Sequence, residues 1–177
     1  RLTNVLEKRS FERVYECLAS AEEDIMGPPD FCRLALLHLD HALKATDPAH
    51  LIFWSPEFID LLKRLTGLDL GLPGRQARAW KLEPGCYRML NEERGDRDSD
   101  GLDVYICMSG NSSAAFVQYV NEESGEIVAV LEPRPNCLLG AFRTEGSSRF
   151  IRYIPKSSSK GFGEPVIYLT ITYPVLE

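Results

Sequence analysis

Histidine is absent from the chain beyond His50: the 177 residues contain three, His38, His41 and His50. The later two-thirds therefore cannot build an imidazole metal site or a Ser/His/Asp or Cys/His nucleophilic set from its own residues. Cysteine is sparse and scattered. Cys17, Cys32, Cys86, Cys107 and Cys137 form no C-x-x-C pair, and an odd number cannot all pair. This pattern reads as buried thiols in a reducing compartment rather than as a disulfide framework or a zinc site. There is no run of about 18 apolar residues to span a bilayer as a helix. Basic residues are outnumbered, 20 against 26 acidic, giving a net charge of −6 that works against binding a phosphate backbone.

What remains is ordinary for a globular protein, with 44% apolar and 26% charged residues and enough length for one sizeable core. The first residue is Arg1 rather than Met, so the chain reads as part of something longer.

The first third has a helical period. Ser10 is placed as the N-cap of a helix with Phe11, Val14, Cys17 and Leu18 on one face. Gly27, Pro28 and Pro29 break the chain, and Asp30 is placed as the cap of a second helix carrying Phe31, Leu34, Leu37 and His38. Ser55 and Pro56 begin a third, with Phe58, Leu61, Leu62 and Leu65 on its apolar face and Gly67 at its end.

After the hinge of Gly71, Pro73 and Gly74 the period becomes two. Eight strands are expected over 79–82, 86–90, 102–108, 115–120, 126–131, 137–143, 150–154 and 166–173. Eight strands with no helix between them point to a mainly β fold, an antiparallel jelly roll or double-stranded β-helix, with the N-terminal helices buttressing one outer face. The expected division is a helical segment over 1–75 and the β-helix over 76–177, both parts of one domain.

The candidate motifs are incomplete. Asp96, Asp98, Asp100 and Gly101 match the opening of a calcium loop, but its twelfth position is Cys107 instead of Glu. Asn111-Ser112-Ser113 is a glycosylation sequon better read as a turn. Ser157 to Gly163 is a loop without Walker spacing. His38 and His41, three apart, have no carboxylate companion. Arg143, Arg149, Arg152, Lys156 and Lys160 form a basic run on an acidic protein; the first four are the candidate docking residues for an acidic partner.

The order of segments resembles the C-terminal domain of the 2-oxoglutarate- and iron-dependent prolyl hydroxylases that act on a small-subunit ribosomal protein. The likeness is carried by Gly27-Pro28-Pro29, by the helix ending Leu65-Thr66-Gly67-Leu68, and by Trp80 with Gly85-Cys86-Tyr87-Arg88-Met89-Leu90. It continues through Leu102-Asp103-Val104-Tyr105-Ile106-Cys107, Ala115-Phe116-Val117-Gln118-Tyr119-Val120 and the closing strand from Ile167 to Tyr173. The resemblance implies two β-helix domains in tandem, a catalytic one upstream that binds Fe(II) and 2-oxoglutarate and a second one without catalysis.

Where the family's catalytic copy has its His-x-Asp, this chain has Asn91-Glu92-Glu93; Asn91 and Glu93 are expected to be non-functional. The late His and the 2-oxoglutarate-binding Arg are also missing, from the strand around Phe150-Ile151-Arg152 and from 166–173. The family's longer loop before Ala115 is reduced to six residues, Ser109 to Ala114. The expectation is a non-catalytic interaction domain that binds no cofactor. Its implied partners are its own upstream catalytic domain and a regulatory or translation-related protein, with roles in translation termination or oxygen-dependent control of a transcription factor, in cytoplasm and nucleus. No membrane is implied. Three alternatives stay open: an oxygenase using Glu93 with His38 or His50, a calcium-assisted jelly-roll binding domain, and a domain that only shields its neighbour.

Overall fold

The computed structural model describes residues 1–26, 34–37, 52–73, 77–85, 100–108, 116–152 and 165–176. Within them lie strands β1 (Leu2–Thr3), β2 (Glu23–Met26), β3 (Leu34–Leu37), β4 (Arg78–Leu82), β5 (Gly101–Cys107), β6 (Val117–Asn121), β7 (Ile127–Leu131), β8 (Cys137–Arg143), β9 (Ser147–Ile151) and β10 (Val166–Pro174). Helices α1 (Lys8–Ala19) and α2 (Pro56–Thr66) lie among them, and residues 52–54 are helical as well. The strands form a seven-stranded sheet in the order β1-β8-β5-β10-β4-β3-β2 and a three-stranded sheet in the order β7-β6-β9. All pairings are antiparallel. From β5 onward the chain passes between the sheets, which is the winding of a double-stranded β-helix, as the period of two indicates.

The central strands of the large sheet, β5 and β10, have two apolar faces, because both are covered. On the outer face Leu102, Val104 and Ile106 of β5 and Ile167, Leu169 and Ile171 of β10 pack with Val14 and Leu18 of α1 and Phe58, Ile59 and Leu62 of α2. On the inner face Trp80, Leu82, Tyr105, Cys107, Leu139, Ala141 and Tyr168 pack against Val117, Tyr119 and Ile151 of the small sheet. Central β5 is buried at every position, the expected result for a strand clamped between two layers. At about 25 cal/mol per Å² of buried apolar surface, these two layers supply most of the folding drive.

Local signals fix the helix ends. The Ser55 hydroxyl accepts from the Phe58 N–H at 3.1 Å, Pro56 fills the first turn, and Gly67 at φ 73° closes α2 in the left-handed conformation. The segment leading into α2 is tied to β10 through Tyr173, whose hydroxyl donates to the Phe53 carbonyl. The Phe58 ring lies between those of Phe53 and Tyr173, with centroids 6.2 and 6.5 Å away. Asn136, held at φ 53°, accepts from Leu6 N–H and donates to Leu6 C=O, fastening the N-terminal segment to the start of β8.

Four expectations are corrected. α1 begins at Lys8 with Glu7 at the cap, so Ser10 lies inside the first turn. Leu34–Leu37, expected in a helix, is strand β3 paired with β2 and β4; an all-apolar Leu-Ala-Leu-Leu run suits either period, and the open edge of β4 decides it. Leu65, placed on the apolar face of α2, is exposed, while Ile59 takes a buried place. The strand expected over 150–154 begins earlier, as β9; residues 153 and 154 lie outside the described residues. The expected strand over 86–90 and the break at Gly27, Pro28 and Pro29 lie outside the described residues. Among the described residues no helix is long and apolar enough to cross a membrane.

Candidate functional site

The space between the two sheets is where this fold places side chains from both layers face to face. Period two sends Asp103, Tyr105 and Cys107 of β5 inward together, with Arg143 from β8 and Thr172 from β10 on the same inner wall. Tyr119 of β6 and Arg149 of β9 are register partners on the opposing sheet.

At the centre is Asp103, 1% exposed. Its Oδ1 accepts from the Thr172 hydroxyl at 2.7 Å, and its Oδ2 accepts from the Tyr119 hydroxyl at 2.8 Å and from Arg149 Nη1 at 3.2 Å. Arg143 Nε stands 3.6 Å from the same Oδ2. The network closes on itself. Arg149 Nη1 donates to the Tyr105 hydroxyl at 3.1 Å, and the Tyr105 and Tyr119 hydroxyls are 2.8 Å apart. Because Tyr119 gives its proton to Asp103, Tyr105 must donate to Tyr119, so every hydroxyl proton has an acceptor.

Gly101 permits this packing: a Cβ there would lie 3.0 Å from Thr172 Cγ2 and 3.4 Å from Arg143 Nη2. Burial raises the Tyr105 phenol above its ordinary range, with the Arg149 charge pulling the other way. Burial pushes Tyr119 and Tyr168 higher still.

Beside the network lies a small cleft walled by Trp80, Tyr105, Tyr168, Val117 and Ile151, with Arg149 as its charged lining residue. Fe(II) held in such a barrel needs two imidazoles and a carboxylate with open positions. The described inner wall does not fit. Asp103 is the buried carboxylate there, and two guanidiniums and two hydroxyls already occupy it; among the described residues no three His, Cys, Asp or Glu side chains converge.

The structure redistributes the expected docking residues. Arg143 is buried and Arg149 largely so, both turned to Asp103, because they share strand parity with Ala141 and Ile151; they do not form a surface patch. Arg152 is exposed beyond the end of β9. Lys156, Lys160, Asn91, Glu93, the three histidines, Asn111-Ser112-Ser113 and the loop from Ser157 to Gly163 lie outside the described residues. So do Asp96 and Asp98; Asp100 is exposed and accepts from the Glu145 N–H at 3.0 Å, closing the turn before β9. Asp103, Tyr105, Tyr119 and Thr172 were not singled out by sequence reasoning as site residues. The available signal was an Asp two residues before Tyr105 in an otherwise apolar strand.

No protein-family model matches the sequence, and no curated protein does. The solved structures are more informative. An oxidoreductase of the 2OG-Fe(II) oxygenase family from Burkholderia pseudomallei superposes with TM-score 0.68 at 9% identity, over 98% of this chain and 82% of that one. The fold is that of the 2-oxoglutarate- and iron-dependent oxygenases. A Pseudomonas putida prolyl-4-hydroxylase aligns with TM-score 0.64 at 12% identity, over 98% and 90% of the two chains. A Trichoplax adhaerens prolyl hydroxylase, solved with a hypoxia-inducible-factor peptide, gives 0.64 at 10% identity, over 98% and 81%. At such identities the likeness concerns the fold.

Proposed function

We propose that this chain is a non-catalytic protein-interaction domain, the C-terminal partner of an upstream 2-oxoglutarate- and iron-dependent catalytic domain that hydroxylates a proline of a ribosomal protein. The observation that carries the reading is the commitment of Asp103: an inner-wall carboxylate that could have been a metal ligand instead holds the two sheets together. The cleft beside it offers aromatic walls, and its lining guanidinium is already bound to protein. In this reading Fe(II) and 2-oxoglutarate belong to the upstream domain. This domain docks against it and against a regulatory or translation-related protein, in cytoplasm and nucleus, with consequences for translation termination or for oxygen-dependent control of a transcription factor.

The test is metal analysis of the purified chain after anaerobic reconstitution with Fe(II), together with a succinate assay in the presence of 2-oxoglutarate. The expected result is iron well below one per chain and no succinate above the rate of free iron. Stoichiometric iron, or turnover that a chelator abolishes, overturns the reading.

A further inference from the structure

We propose that the outer edge of β7 accepts an extended segment of a partner protein, apolar in its centre and flanked by Lys or Arg, as an added fourth strand of the small sheet. The proposal rests on the interaction-domain reading and names the surface through which the interaction is made.

β7 is an end strand of the order β7-β6-β9, and among the described residues no strand pairs with its other side. A strand in that position presents a row of unpaired N–H and C=O groups, a ready template for another strand. Its sequence, Ile-Val-Ala-Val-Leu, is rich in β-branched residues that hold the backbone extended. Ala129 and Leu131 pack against the inner core and anchor the strand. Ile127, Val128 and Val130 are 55%, 60% and 50% exposed. A register shift at Tyr119/Val120 leaves Val128 without an opposite residue on β6. Exposed edges are ordinarily protected by an inserted charge, a proline, a bulge or a covering segment; β7 contains no charge and no proline, and the register shift against β6 is its one irregularity.

Charge selects the occupant. The strand is bounded by exposed Glu123 and Glu126 on one side and by Glu132 on the other. Glu132 is paired with Arg134 at 3.4 Å, but both are solvent-exposed and the pair is weak. In an antiparallel pairing of two copies centred on Ala129, Glu126 of each chain would face Glu132 of the other, a like-charge contact at both ends. A net charge of −6 on each copy adds to the repulsion. A segment with a cation on each side of an apolar stretch meets the same carboxylates favourably.

The experiment titrates the isotope-labelled chain with the capped peptide Lys-Val-Thr-Val-Thr-Val-Lys, followed by backbone amide shifts. Saturable shifts confined to β7 and β6 are expected, weakening with salt. The same peptide with Glu at both ends is expected to bind about tenfold more weakly, and alternate N-methylation of its amides to abolish binding. Val128→Lys with Val130→Lys, on exposed positions, leaves the melting temperature unchanged and removes the response. Unmoved β7 amides, undiminished binding of the N-methylated peptide, or a dimer that the double substitution dissolves each overturn the assignment. The iron and succinate assays on the same preparation keep the two proposals apart. An inactive, iron-free chain that ignores the peptide refutes the β7 site alone, and an active iron-loaded chain refutes the non-catalytic reading whatever the peptide does.

Discussion

Replacing Asp103 by Asn removes one charge from the middle of the molecule without changing the volume of the side chain. The amide oxygen still accepts from Thr172, but an NH₂ now faces the Tyr119 hydroxyl and the Arg149 guanidinium, which have lost the oxygen at 2.8 and 3.2 Å. Arg143, buried and 3.6 Å from the same oxygen, loses its counter-charge too. Breaking a buried ion pair by removing one partner costs about 3–5 kcal/mol. The lost tyrosine acceptor adds to this, but the contributions form one network and do not sum. Arg149, at 17% side-chain exposure, recovers part of the loss by turning to solvent. The net expectation is about 4 kcal/mol, a large share of the roughly 5–15 kcal/mol by which domains are stable. For a chain of this size it lowers the melting temperature by about 8–16 °C. Urea unfolding followed by circular dichroism measures it, with an unchanged slope showing that the loss is one of stability. In a double-mutant cycle, Arg149→Met should then cost less on the Asp103→Asn background than on the parent, by about 1.5 kcal/mol or more. If Asp103→Asn stays within about 1 kcal/mol of the parent and the two substitutions add, the network is not what joins the sheets.

Alkaline unfolding reports the same interior. Tyr105, Tyr119, Tyr168 and Tyr173 all have phenols raised by burial, so the folded chain keeps protons there that the unfolded chain releases above about pH 10. Stability is therefore fully present below that pH and falls as pH rises, by about 1.4 kcal/mol per pH unit for each such phenol. Phenolate absorbance should show these tyrosines ionising together with the loss of circular dichroism, and smooth titration of all seven in the folded state would contradict their burial. Tyr173→Phe removes the donor to the Phe53 carbonyl and leaves that acceptor buried, for an expected loss of about 1–3 kcal/mol in urea unfolding. An unchanged midpoint would mean that the helical residues 52–54 are not held by β10.

The legible parts of this protein were those in which a local rule and the tertiary structure demand the same thing. Ser55, Pro56 and Gly67 bound α2 because capping is decided within one turn. Cys137–Arg143 is a strand from end to end as the period of two indicated, since Cys137, Leu139, Ala141 and Arg143 are buried while Gly140 and Phe142 between them are exposed. The fold class followed from eight such runs without intervening helices. Leu34–Leu37 went the other way, because a four-residue apolar run carries no period of its own and the edge of β4 was there to pair with it.

The candidate site was the least legible part. Arg143 and Arg149 looked like surface cations because arginine usually is one, and only the closing of one sheet over the other turned them toward Asp103. By itself the sequence determined the caps of α2, the strand period and the missing imidazoles, which are matters of composition and of neighbours along the chain. The tertiary structure alone decided that an aspartate, two arginines and two tyrosines from four strands would meet, because charge pairing acts through space and residues 103 and 149 come together only when the barrel closes.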